Sequence, residues 1–134
     1  MKKLSLIIPV YNEETTLSKT IEKVLKIEEN PFFDKNDLSL ELVLVDDCSS
    51  DNSFKIASEI AKKNAKVKVC AHKKNMGKGA ALKTGFLEAQ GDFIGIQDAD
   101  DEYNPIEYTK LLKPLLEDKA DVAYGSRYLK QEDR

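Results

Sequence analysis

The stretch Gly91-Asp-Phe-Ile-Gly-Ile-Gln-Asp-Ala-Asp-Asp-Glu-Tyr-Asn-Pro105 decides how the rest of the chain is read. Phe93 to Ile96 is a short apolar run, the pattern of a buried strand, and it delivers Asp98, Asp100, Asp101 and Glu102 onto the loop that follows. Four carboxylates within five residues repel one another unless a cation or a ring of hydrogen-bond donors sits among them. Asp98 and Asp100, separated only by Ala99, suit a hard divalent ion such as Mg2+ or Mn2+. Such ions are seldom caged by protein alone and take further ligands from water or a diphosphate, so the cluster points to a phosphorylated ligand. The same residues also have an ordinary reading. Asn104-Pro105 is a helix start, with Asn as N-cap and Pro at the first helical position, and acidic residues ahead of it favour the helix dipole without any ligand.

Outward from this stretch the chain alternates regularly. Leu4 to Val10 is a continuous apolar run containing Pro9 and reads as a buried parallel strand. Asn12 is placed to cap a helix from Glu13, with Leu17, Ile21, Val24 and Leu25 on its inward face. Asn30 to Asp37 reads as a loop, and Leu40 to Val45 as the second strand. Ser50 or Asp51 caps a helix that buries Phe54, Ala57, Ile60 and Ala61. Val67 to Ala71 is a third strand. Gly77 and Gly79 open a helix over Ala80 to Ala89, in which Gly85 marks a close approach of a neighbour. After the Phe93 strand, Ile106 to Leu116 reads as a helix disturbed at Pro114, and Ala120 to Tyr124 as a fifth strand.

Strands separated by helices are βαβ units, whose right-handed crossovers place helices on both faces of a mostly parallel sheet, a Rossmann-like α/β layer. With 134 residues the chain fits a single domain spanning residues 1–134. It is 41% hydrophobic and 34% charged with a net charge of −3, the balance of a soluble globular protein. Its lysines are scattered, so no nucleic-acid partner is expected. No apolar run approaches the ~20 residues of a membrane span, no signal-peptide core is seen, and a cytoplasmic location is expected. Cys48 and Cys70 fit no metal spacing and are expected as reduced thiols. His72, followed by two lysines at a strand end, reads as a surface residue without a role.

Ligands of such sheets bind beyond the carboxyl ends of the strands. Pro9, Tyr11, Asn12 and Glu13 follow the first strand, Asp46 to Asp51 the second, Asn75 to Gly79 the third, and the carboxylate cluster the fourth. Asp46 and Asp47 can terminate a strand or accept hydrogen bonds from a nucleobase or ribose. Ser50 and Asp51 read as caps, Tyr11 as a cover for the sheet end or a ring for a ligand, and Lys78 as an exposed turn lysine or a phosphate contact. There is no G-x-x-x-x-G-K-[ST] P-loop and no G-x-G-x-x-G turn, which argues against a dinucleotide cofactor. A phospho-acceptor receiver domain is disfavoured because its Asp pair should follow the first strand rather than the second.

Ser5-Leu-Ile-Ile-Pro-Val-Tyr-Asn-Glu-Glu14, Leu42-Val-Leu-Val-Asp-Asp-Cys-Ser-Ser-Asp-Asn-Ser53, Asn75-Met-Gly-Lys-Gly-Ala-Ala-Leu82 and Gln97-Asp-Ala-Asp100 together resemble the successive signatures of GT-A glycosyltransferases of family 2. The tail Asp121-Val-Ala-Tyr-Gly-Ser-Arg-Tyr128 is most similar to the branch that transfers mannose or glucose to polyprenyl phosphate. The resemblance implies a GT-A nucleotide-sugar-binding layer and a UDP- or GDP-sugar donor. It places Pro9, Tyr11, Glu13, Asp46 and Asp47 around the nucleoside and Gly77 and Lys78 near the base. Asp98 and Asp100 match the D-x-D motif that meets the sugar ribose and the metal diphosphate. Glu102 falls at a third metal ligand, and Arg127 matches a phosphate-binding arginine, a contact suited to a planar fork. Cys48 departs from the pattern, where glycine or asparagine is usual, and is strained if its turn needs a positive φ.

The family inverts by single displacement, and a divalent ion at Asp100 would stabilise the departing diphosphate. An alcohol acceptor needs a carboxylate base, for which Asp101 is nearby but not assigned; an acceptor phosphate, already anionic, needs none. Members of the branch continue past Gly-Ser-Arg-Tyr and often carry a membrane-associated end. The expectation is therefore a C-terminally truncated layer, peripheral to the membrane, acting alone, within a longer protein or in a homo-oligomer that completes the site. The alternative is a nucleotide-sugar-binding module without turnover.

Overall fold

A strand that is apolar on both faces needs partners on both edges and layers above and below, and β1 (Lys2–Val10) has all four. The computed structural model describes residues 2–97 together with the backbone of two short strands farther on. After β1 come α1 (Leu17–Leu25), a 3-10 turn (Lys26–Glu29), α2 (Pro31–Lys35), β2 (Leu38–Asp46), α3 (Ser53–Lys63), β3 (Val67–Ala71), α4 (Lys78–Glu88), β4 (Phe93–Ile96), β5 (Val122–Ala123) and β6 (Tyr128–Lys130). They form one sheet in the order β3-β2-β1-β4-β6-β5. β1 pairs in parallel with β2 from Lys2↔Leu38 to Val10↔Asp46, and with β4 from Leu4↔Phe93 to Ile7↔Ile96.

The period-2 alternation of strands sorts the core into two layers. Leu4, Leu6, Ile8 and Val10, with Leu40, Leu42 and Leu44, pack against Leu17, Ile21 and Val24 of α1 and Ala57 of α3. Ile7, Val43, Val45 and Ile94 face Ala81 of α4 on the other side, where Leu82 and Phe86 complete the layer. Helices thus cover both faces, as the apolar runs require. Gly85 lies where a Cβ would collide with the Ile7 side chain, so its missing side chain is what lets α4 settle on β1.

Several local expectations are corrected. Asn30 to Asp37 is not simply a loop: Asn30 caps α2 by accepting from the Phe32 N–H at 2.9 Å, Pro31 sits in its first turn, and Phe33 is buried. α1 starts at Leu17 rather than Glu13, because Asn12 adopts φ 52 and uses its side chain elsewhere. In α3, Ser53 and Ala57 carry the buried face, and Phe54, about 100° round the helix, turns outward and is 44% exposed. The last strands do not continue the parallel series. β5 pairs antiparallel with β6, and β6 pairs antiparallel with β4. The four residues 124–127 between β5 and β6 are too few for a parallel crossover. The helix expected over Ile106 to Leu116 lies outside the described residues.

Cys48 adopts φ 61, so the turn does need the left-handed conformation under which a cysteine is strained there. A Cβ there costs roughly 1–2 kcal/mol. Replacing Cys48 by Gly should therefore raise stability by about 1 kcal/mol, read as a higher urea midpoint at unchanged slope. A lowered midpoint would contradict this account of the turn.

Candidate functional site

From β1 the chain steps outward to β2 and β3 on one side, while β4 returns to the other side of β1. Where the direction of winding reverses, the loops after adjacent strands diverge and leave a crevice at their carboxyl ends. Pro9 helps to open it. Ile7 accepts a hydrogen bond from the Gln97 N–H at 2.9 Å, so Pro9, two residues on, faces the same side with no N–H to extend the ladder. The chain therefore leaves β4, as far as Gln97, beside the end of β1.

The loops after β1 and β2 are laced together. The Asn12 N–H donates to Ser49 Oγ at 3.0 Å, and Asn12 Oδ1 accepts from the Ser50 N–H at 2.8 Å. The Glu13 N–H donates to Ser53 Oγ at 2.7 Å, and the Glu14 N–H to Asp51 Oδ2 at 3.2 Å. Asn12 thus ties two loops instead of capping a helix. Asp51 serves the start of α3 by accepting from the Ser53 N–H at 2.9 Å, although the N-cap position itself is Asn52. Tyr11, between these tethers and the strand, is 48% exposed, a ring offered at the edge of the sheet. Pro9 and Glu13 are half-buried beside it, Glu13 also accepting from the Thr16 hydroxyl at 3.1 Å.

Asp46 and Asp47 are both buried. Asp46 folds back on Ser49, accepting from its N–H at 3.0 Å and its hydroxyl at 2.6 Å. The Asp47 N–H donates to the Val10 carbonyl, and its carboxylate reaches across to the next loop. Oδ1 accepts from the Met76 N–H at 2.9 Å and meets His72 Nδ1 at 2.8 Å, and Oδ2 accepts from the Gly77 N–H at 2.8 Å. Burial pushes the Asp47 carboxyl up, but His72 and the two backbone donors outweigh it and hold the group below the ordinary carboxylate range. Gly77, at φ 93, is the N-cap of α4, so Asp47 fixes the turn from which that helix starts. Lys78, exposed, is the first residue of α4.

Tyr11, Asp47 and Gly77 are thus brought to one edge, with Pro9, Glu13, Asp46 and Lys78 around them. Asp98, Asp100, Glu102 and Arg127, and with them Asp101, lie outside the described residues. Among the described residues there is no group of three or more His, Cys, Asp or Glu side chains that could hold a metal ion. Nor is any helix there long and apolar enough to cross a membrane.

The Glycosyl transferase family 2 model matches residues 5–134. The chain belongs to glycosyltransferase family 2. This family 2 chain is 36% identical over 128 residues to a dolichol-phosphate mannosyltransferase of Pyrococcus furiosus, covering 96% of its own length and 34% of the relative's. It is similar to the crystal structure of S. aureus TarS 1-349 in complex with UDP-GlcNAc, with TM-score 0.71 and 27% identity over 89% of the chain and 32% of that structure. The mannosyltransferase PcManGT from Pyrobaculum calidifontis, solved in complex with GDP-Man and Mn2+, shares the fold, with TM-score 0.75 at 20% identity over 98% of the chain and 45% of that structure. The family 2 chain spans about a third to a half of the length of the curated relatives it matches.

One residue of this edge was misread from the sequence. His72 is no idle surface residue: its side chain is only 10% exposed and both ring nitrogens are engaged, Nδ1 by Asp47 and Nε2 by Thr84 Oγ1 at 2.8 Å. The usable signal was its position immediately after β3, at the carboxyl edge where ligands collect.

Proposed function

We propose that residues 1–134 form the donor-binding domain of a glycosyltransferase that takes a sugar from a nucleotide-diphosphate sugar. The observation that carries this reading is the convergence of the loops after β1, β2 and β3 at the winding reversal beside β4, directly ahead of the Asp98–Glu102 cluster. The Tyr11 ring offers an apolar face for a nucleobase, with Pro9 and Glu13 alongside it. Asp46 and Asp47 keep acceptor capacity for a base N–H or a ribose hydroxyl, and the Gly77–Lys78 turn closes the nucleoside side. Asp98 meets the ribose and diphosphate side, and Arg127 the phosphate.

A hard divalent ion, Mg2+ or Mn2+, suits this edge. Four of the five residues 98–102 in the sequence after β4 carry carboxylates, the oxygen donors a hard divalent ion takes. Asp100 and Glu102 would hold it, and when bound it supplies positive charge for the leaving diphosphate. The Mn2+ bound together with GDP-Man in the Pyrobaculum mannosyltransferase supports this choice. The acceptor is a polyprenyl phosphate at the membrane surface, a reading supported by the name of the Pyrococcus relative; a phosphate acceptor would need no general base.

The test is calorimetric titration of UDP, GDP and their sugars with Mn2+ and with chelator, into the chain and into Asp100→Ala. The chain should bind one nucleotide at least about tenfold more tightly with Mn2+, roughly 1.4 kcal/mol, and Asp100→Ala should lose that difference. Equal affinity of the unaltered chain under both conditions would overturn the metal-assisted reading. Release of nucleotide diphosphate on adding a polyprenyl phosphate would support the acceptor; binding without release would favour a module that does not turn over.

A further inference from the structure

We infer that His72 is a positioning residue for the nucleoside, acting through Asp47; the inference rests on the donor-binding reading above. The His72 N–H donates to the Asp46 carbonyl at 2.9 Å, extending the β2–β3 ladder by one step and placing the ring at the carboxyl edge. Its Nδ1 meets Asp47 Oδ1 and its Nε2 meets Thr84 Oγ1, both at 2.8 Å. Three elements therefore converge on one imidazole: the end of β2, the end of β3 and the second turn of α4.

An aspartate carboxylate turns easily about its last torsion, so a useful orientation has to be pinned. Met76 and Gly77 pin Asp47 from the end of the β3–α4 connection where α4 starts, and His72 pins it from the start of that connection, at the end of β3. Asp47 is ionised at neutral pH and can only accept, so Nδ1 carries the proton in this bond. In the neutral ring Nε2 then accepts from the Thr84 hydroxyl; in the charged ring it donates, and the hydroxyl rotates to suit. Either way the ring stays fixed. Oδ1 already has two partners, while Oδ2 takes one bond from Gly77, which leaves Oδ2 as the acceptor presented to a ligand N–H or O–H. Without His72 the carboxylate keeps only the two adjacent backbone donors of the turn, and that acceptor loses its direction.

The experiment compares binding of UDP, GDP and inorganic pyrophosphate, each with Mn2+, to the chain and to His72→Leu, His72→Asn and Thr84→Val. His72→Leu should weaken the preferred nucleoside diphosphate by about tenfold or more and leave pyrophosphate within about twofold, since only the nucleoside depends on Asp47. His72→Asn, whose amide can still donate to Asp47, should recover most of the affinity, and Thr84→Val should lose less than His72→Leu. A ring that mattered only as packing would give equal losses for both ligands and no rescue by Asn, and that result overturns the inference. If His72→Leu does not fold, the ring 15N signals of His72 in the unaltered chain decide: they should shift on adding the nucleotide, and unchanged signals overturn the inference. Nucleotide binding that is indifferent to His72 would sink this inference and leave the donor reading standing. No nucleotide binding by the unaltered chain would sink both.

Discussion

Replacing Asp47 by Ala is expected to cost the folded chain about 3 kcal/mol and to abolish measurable nucleotide binding. The carboxylate is buried and serves three donors, from His72, Met76 and Gly77. Truncation leaves those donors without their acceptor, and each buried orphan costs roughly 1–3 kcal/mol before relaxation or ingress of water. The effect should depend on pH in a defined sense. The Asp47 carboxyl titrates below its ordinary range in the folded chain, so its contribution is complete above the unfolded value, near pH 4, and is lost as pH falls through the folded value. The stability gap between the chain and Asp47→Ala, measured by urea unfolding, should hold from neutral pH to about 4 and narrow below it. A gap under about 1 kcal/mol at neutral pH would mean that the carboxylate is not the keystone of this turn.

The second large effect is expected at the opposite edge of the sheet. Gly91 lies where an added Cβ would stand 2.5 Å from Ser5 Oγ, 2.8 Å from the Lys3 carbonyl oxygen and 2.8 Å from the Ser5 nitrogen. Two of these atoms are backbone of the central strand and cannot move aside cheaply. The Gly91 N–H also donates to Ser5 Oγ at 2.8 Å, and the Ser5 hydroxyl donates to Glu41 Oε2 at 2.5 Å. Glu41 is itself buried, accepts from the Gln90 N–H at 3.0 Å and pairs with Lys68 at 2.9 Å. Burial raises the Glu41 carboxyl, and these partners more than reverse the shift. Gly91→Ala should therefore destabilise by about 3 kcal/mol, with unchanged nucleotide affinity in the fraction that remains folded. Asp47→Ala loses both, and the contrast separates the edge that binds from the edge that only holds the sheet. A Gly91→Ala chain of undiminished urea midpoint would contradict the close approach.

What could be read from sequence followed from local rules. Continuous apolar runs marked β1 to β4, helical spacing marked α1 and α3, two glycines marked the start of α4, and Gly85 marked the close approach of a neighbour, which is Ile7. The gathering of Tyr11, Asp47 and Gly77 at one edge followed from their positions after strands in a parallel sheet. What was missed depends on partners distant in sequence. His72 meets a carboxylate 25 residues before it and a hydroxyl 12 residues after it, which no window around His72-Lys73-Lys74 contains. Asn12 was read as a cap because asparagine caps helices, yet its bonds go to Ser49 and Ser50 on the loop after β2. The short α2 carried the same Asn-Pro start recognised at Asn104-Pro105, but its five residues are too few to show an apolar period. β6, with three residues, is shorter than any pattern that could announce it.

The central claim, that a nucleotide donor binds at the carboxyl edge where β1 and β4 part, is tested most directly by mapping backbone amide NMR shifts as UDP or GDP is added with Mg2+. Signals of Tyr11, Asn12, Asp47, Met76 and Gly77 should move together and saturably, while those of Lys3, Glu41 and Gln90 at the other edge stay in place. Shifts confined to the Lys3, Glu41 and Gln90 edge, or none with either nucleotide, would contradict it.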